Sequence, residues 1–193
     1  MFELLRQKFS EKISITDEEF EFCKTFFITR RLRKKHFLLQ EGNVCKYTAF
    51  VEKGLLKSYT IDDRGSEHIL QFSLEGWWMA DIYSFLTNEP SLYNIEALED
   101  SELLLMTKLS QELLLEKIPK VEHYFHILTQ NNLIATQKRL MGSLSETAEE
   151  KYLKFMTLYP DCFKRVPQHM IASYLGITRE TLSRIRKEVA TGR

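Results

Sequence analysis

Four side chains able to tell base edges apart recur on adjacent turns of one short segment. Residues 168–186 read QHMIASYLGITRETLSRIR, and Arg179, Glu180, Ser183 and Arg184 stand within it. Arginine can donate two hydrogen bonds to guanine, glutamate can accept from the cytosine amino group, and serine can serve either role. Such a set needs two helices crossing over a tight turn, so that the second presents one face outward. Ile171, Ala172, Leu175, Ile177, Leu182 and Ile185 occur where those helices would interdigitate, and Ala172 is small where they approach. Gly176 falls at the turn, where a left-handed backbone is easiest for glycine, and Thr178 can cap the second helix ahead of Glu180 and Thr181. The pattern predicts a helix-turn-helix whose outward face is Arg179, Glu180, Ser183, Arg184 and Lys187. A merely solvated charged face would not require the apolar positions and the glycine to coincide.

The charge distribution agrees. The net charge is zero, yet residues 1–120 carry 16 basic and 20 acidic side chains while residues 161–193 carry 7 basic and 3 acidic. A basic terminus on a mildly acidic chain suits a phosphate-contacting module joined to a domain of another kind. Cys23, Cys45 and Cys162 are scattered and form no C-x-x-C pair, so neither a disulfide framework nor a metal centre is expected. Among the histidines only His123 and His126 are close, and two ligands without a third do not make a metal site. No nucleophile motif or phosphate-binding glycine loop points to an enzyme. No apolar run approaches membrane-spanning length, and the first residues, MFELLRQKFS, do not read as a secretory signal, so the expected location is the cytoplasm.

The elements that must carry the terminal motif change character along the chain. Residues 1–25 repeat apolar positions at helical spacing, with Thr16 or Asp17 able to cap a second helix. From about 30 to 107 the runs KHFLLQ, YTAFVE, LLKSYTI, EHILQFSL, NIEALE and SELLLMT alternate with turn signals, which predicts a β-roll. From Ser110 to about Leu144 the pattern is helical, with Pro119 placed to open a helix. Val121, Phe125, Leu128, Asn132 and Ala135 lie near a 3.5-residue repeat that could pair with its copy in a homodimer, or could pack on the chain's own roll. Residues 145–159 give another helix capped by Ser145 or Thr147 and ended by Pro160. The expected fold is therefore α+β: an N-terminal β-roll, akin to a jelly roll or double-stranded β-helix, over residues 1–109, a long dimerisation helix over 110–144, and an all-α helix-turn-helix domain over 145–193.

This order of elements, together with GITRETLSRIRK over 176–187, resembles the cyclic-AMP receptor protein and fumarate-nitrate reduction regulator (Crp/Fnr) family across nearly the whole chain. The resemblance implies a transcriptional regulator that binds inverted-repeat operators in double-stranded DNA as a homodimer. It implies that Glu180, Ser183 and Arg184 read a half-site, that Arg179 adds a base or phosphate contact, and that Thr181 helps to hold a backbone phosphate; it adds RNA polymerase as a candidate partner. Nucleotide-binding members carry Gly-Glu followed about ten residues later by Arg-Ser/Thr-Ala. Here Ala80 and Asp81 stand at the first place and Ser91, Leu92 and Tyr93 at the second, and no basic residue occurs between Arg64 and Lys108. A cyclic phosphate buried without a cationic partner would be costly to desolvate, so cyclic AMP is not expected, nor any other cofactor. Trp77, Trp78, Asp81, Tyr83, Ser91 and Tyr93 are the candidate lining of a pocket for an unidentified effector. With few residues after Lys187, a β-hairpin wing behind the second helix is not expected. The competing reading is a small-molecule-binding or protein-interaction roll whose terminal helices only pack.

Overall fold

The computed structural model describes residues 1–191. Helices α1 (Glu3–Ser10) and α2 (Asp17–Lys24) precede β1 (Ile28–Leu32), β2 (Phe37–Leu39), β3 (Tyr47–Lys53), β4 (Leu56–Ile61), β5 (Glu67–Ser73) and β6 (Trp78–Met79). Helix α3 (Ile82–Thr87) then interrupts the strands, and β7 (Asn94–Ala97) and β8 (Ser101–Thr107) complete them. Helices α4 (Lys108–Lys117), α5 (Pro119–Ser145), α6 (Ala148–Leu158), α7 (Pro160–Arg165), α8 (Gln168–Leu175) and α9 (Arg179–Thr191) follow. The strands form two four-stranded sheets, ordered β1-β8-β3-β6 and β2-β7-β4-β5. The chain divides into two compact units, one of Met1–Thr60 with Gln71–Thr129, the other of the segment Ile61–Leu70 with the residues from Gln130 onward.

The first unit shows why its strands read as they do. In β3 and β8 the pairs Phe50–Leu104 and Thr48–Met106 alternate with Ala49–Leu105 and Val51–Leu103. Phe50, Leu104 and Met106 join Leu5, Phe9, Phe20, Val121 and Tyr124 in a core beneath the helices. Ala49, Val51, Leu103 and Leu105 join Leu56, Ile95 and Ala97 in a second core. Strand β8 is thus buried on both faces, which is why SELLLMT is a run and not an alternation. Each such fully buried aliphatic or aromatic side chain stabilises the fold by roughly 1.5–3 kcal/mol relative to exposure. Thr16 makes the capping box foreseen for α2: its hydroxyl accepts from the Glu19 amide while the Glu19 carboxylate accepts from the Thr16 amide. Opposite each other on β4 and β7, Lys57 and Glu96 form a buried pair at 3.3 Å, and the Tyr59 hydroxyl donates to the same carboxylate at 3.0 Å. The Lys57 ammonium also lies 3.9 Å from the centroid of the Tyr59 ring.

Four elements were not anticipated. Strand β1, ITRRL, buries only Leu32, so its sequence carries no apolar alternation; it is held by antiparallel pairing with β8. Strand β6 has two residues, and α3 and α7 have six each, too short for a periodic signal. Pro160 ends α6 but also opens α7, as proline at a first helical position can. The helical stretch after Ser110 is two helices that meet at Ile118, immediately before Pro119.

Candidate nucleic-acid interface

Helices α8 and α9 form the expected pair. Gly176 ends α8 in a left-handed conformation (φ 68°) and its amide donates to the Ser173 carbonyl. The Ile177 amide reaches back to the Ala172 carbonyl at 3.0 Å, so the chain reverses within a single turn. Thr178 caps α9, its hydroxyl accepting from the Thr181 amide at 3.1 Å. Ile171, Ala172, Leu182 and Ile185 are buried, with Tyr152, Phe155, Cys162 and Val166 completing the hydrophobic support. The rings of Phe155 and Tyr174 lie 5.4 Å apart, and those of Tyr152 and Phe163 5.7 Å apart. Leu175 and Ile177, expected in the same core, are half-buried.

That packing dictates what α9 shows to solvent. Thr178, Arg179, Glu180, Ser183, Arg184 and Lys187 are all exposed, and Thr181 is half-buried. The structure therefore presents the predicted side chains along one helix. Arg186, which the sequence reading left out, is exposed as well. The Glu180 carboxylate is held below the ordinary glutamate pKa, first by the backbone amide of its own residue, then by the Thr178 hydroxyl, with the Arg179 charge also contributing. It is a full anion at neutral pH, able to accept but not to donate. Arg184 Nη1 donates to Glu188 Oε1 at 3.2 Å, one turn further on.

Within the same unit, the strand segment Glu67–Leu70 is tied to these helices. Ser173 Oγ accepts from the Ile69 amide at 3.0 Å and donates to the Glu67 carbonyl at 2.7 Å. The Arg139 guanidinium donates to the Leu70 carbonyl and lies 4.2 Å from the centroid of the Tyr174 ring.

The six candidate effector-pocket residues fall in different places. Trp78 packs in the core beneath the helices, its indole nitrogen donating to the Tyr124 hydroxyl at 3.2 Å and its ring 5.1 Å from that of Phe125. Trp77, just before β6, is 37% exposed, and Tyr83 is 59% exposed on α3. Asp81, Ser91 and Tyr93 do come together. Asp81 caps α3, accepting from the Ser84 amide at 3.1 Å, and its second oxygen accepts from the buried Ser91 hydroxyl at 2.7 Å. The Tyr93 hydroxyl donates to the Ala80 carbonyl, and burial pushes its pKa up, with the Asp81 charge adding to the shift. Ser84 Oγ accepts from the Cys45 amide and donates to the Glu89 carbonyl, drawing the Cys45 segment against α3. A cavity of about 180 Å³ lies elsewhere on the roll, between β2 and residues 43–47, and its lining includes Leu38, Val44, Lys46 and Tyr47.

The five positions proposed for dimer pairing are divided too. Val121 is fully buried in the helix-covered core, and Phe125 and Leu128 pack partly buried against it. Asn132 and Ala135 are exposed. Every residue from 129 to 141 is exposed, and the apolar ones among them and just beyond are Leu133, Ile134, Ala135, Leu140, Met141 and Leu144. Leu133 and Leu140, like Ile134 and Met141, are seven residues apart, and Leu144 follows Met141 by three, so they share one stripe.

A roll of two four-stranded sheets, a long helix and a terminal helix-turn-helix define a two-part architecture in which the second unit carries the helix pair. Residues 29–117 match the cyclic nucleotide-binding domain family. The chain is 26% identical over 167 residues to the regulatory protein HlyX of Actinobacillus pleuropneumoniae, covering 80% of this chain and 68% of that one. It is 26% identical over 170 residues to the fumarate and nitrate reduction regulatory protein of Vibrio cholerae, covering 80% and 65%. The structure of FixK2 from Bradyrhizobium japonicum superposes with a TM-score of 0.71 at 22% identity, covering 86% of this chain and 85% of that one. In sequence the chain is thus similar to regulatory proteins of the Crp/Fnr type, and in fold to a solved member of that group. Its relatives are regulators, not enzymes, and no helix among the described residues is long and apolar enough to cross a membrane.

Proposed function

We propose that the chain binds an inverted-repeat operator in double-stranded DNA as a homodimer, with one α9 in each half-site and without cyclic AMP. The observation that carries this is the exposed row Arg179, Glu180, Ser183 and Arg184 on a helix whose opposite face is buried. Glu180, Ser183 and Arg184 are the base-reading residues, Arg179 a base or phosphate contact, and Thr178, Thr181 and Lys187 phosphate contacts. The second copy pairs along Leu133, Ile134, Leu140, Met141 and Leu144, in place of the stripe through Val121, Phe125 and Leu128. Independence from cyclic AMP is supported by the Asp81–Ser91 hydrogen bond at the place where family members hold the nucleotide, since a buried carboxylate there repels a phosphate. Any effector is a different small molecule. RNA polymerase is a further candidate partner of the bound dimer. The site of action is the cytoplasm.

The test is selection of bound sequences from a random duplex pool by the purified protein, at stated salt, with and without cyclic AMP. An inverted repeat recovered equally in both conditions supports the proposal. Binding that is salt-sensitive but shows no sequence preference refutes operator recognition, and a repeat recovered only with the nucleotide refutes independence from it.

A further inference from the structure

Glu188 is out of place on a DNA-reading helix. A carboxylate near phosphates costs affinity, and unlike Glu180 it is not explained by the helix start. Nor is it there chiefly to support the helix: an acidic residue C-terminal to its basic partner is the weaker order for an i,i+4 pair. What it does touch is Arg184, through the 3.2 Å bond to Nη1, with Glu188 the less exposed of the two side chains.

Resting on the reading of α9 as the recognition helix, we propose that Glu188 is a positioning residue for Arg184, so that base selection at that position belongs to the pair. A free arginine on this face has two outlets, the edge of a base or the nearest phosphate, and the second is available on any sequence. The bond to Glu188 takes one of five guanidinium donors and leaves the others in a fixed planar fork. The pair is neutral as a unit, so it adds little to counterion release, and non-specific binding falls to Arg179, Arg186 and Lys187. Glu188 therefore lowers affinity for arbitrary DNA while sharpening the choice made by Arg184.

The test is a double-mutant cycle on the full chain. Affinity is measured for the selected operator, for each single base-pair variant of it and for a random duplex, across salt concentrations. The proteins are the wild type, Glu188→Gln, Arg184→Ala and the double variant. Glu188→Gln should lower discrimination at the base pair read by Arg184 by roughly 3- to 10-fold, the effect of leaving one long side chain unordered before binding. It should also tighten random-duplex binding and steepen the salt slope by about 0.9, one added phosphate contact. In the Arg184→Ala background it should not alter discrimination at all. An equal gain on every duplex with discrimination unchanged, or the same loss in both backgrounds, would make Glu188 a simple charge and overturn the proposal. Failure to recover any preferred operator would instead bring down the recognition-helix reading, and this proposal with it.

Discussion

Replacing Ile134 and Met141 together by glutamate should convert the dimer to monomers without unfolding either unit. Ile134 is 49% exposed and Met141 67% exposed in the isolated chain, so each has about half its surface or more left to bury. Fully burying such a side chain contributes roughly 1.5–3 kcal/mol, so each contributes about 1–2 kcal/mol at a pairing seam. A two-fold axis changes four side chains at once, and the sum is at least about 4 kcal/mol, equivalent to roughly a thousandfold in dissociation constant. Four carboxylates facing one another add repulsion to that loss. A dimer of micromolar affinity would become a monomer at any concentration below the millimolar range. Sedimentation velocity should then show a single monomeric species with an unchanged near-ultraviolet circular dichroism spectrum, and operator affinity should collapse towards that of a half-site. Phe125→Glu provides the contrast, because it puts a charge against the core beneath the helices and should lower thermal stability instead. A double variant that remained dimeric would show that α5 is not the seam.

Two further outcomes follow from buried groups. Ser91→Ala deprives the buried Asp81 carboxylate of its hydroxyl partner and should cost about 1–3 kcal/mol in chemical denaturation, with cyclic AMP offering no rescue; unchanged stability would show that the pairing does not form. Burial pushes the Cys23 and Cys162 thiols up to about 12 from the usual 9.0, so both should resist alkylation in the native protein at pH 8 and label only on unfolding, as read by mass spectrometry. Both shifts favour the protonated thiol in the fold, so their contribution to stability is intact below about pH 9 and is lost as the pH rises towards 12. Rapid native labelling of either thiol would contradict the burial.

The terminal motif was the most legible part of the chain because its determinants are local. A left-handed glycine, a capping threonine and apolar residues at fixed offsets fix a helix pair without knowledge of anything distant. Strand β1 was hidden for the opposite reason: Arg30 and Arg31 are exposed on a strand held by β8, more than 70 residues away in sequence. Helix α5 shows the limit of periodicity. Val121, Phe125 and Leu128 repeat as a dimer seam would, yet Val121 lies in the chain's own core with Phe125 and Leu128 packed partly buried against it, and only accessibility separates them from Ile134 and Met141. The same ambiguity covers Trp77 and Trp78, since β6 holds only Trp78 and Met79 and so short a strand carries no signal about which indole is buried.

The Ser173 hydroxyl has a further consequence, for solubility. Strand β5 ends its sheet, and an outer strand offers a row of unpaired amides and carbonyls on which another chain can grow. Here the Ile69 amide and the Glu67 carbonyl are both occupied by one serine, and Arg139 covers the Leu70 carbonyl beside them. Side chains from two helices thus blunt that edge against strand addition, protecting the protein from aggregation with its own copies.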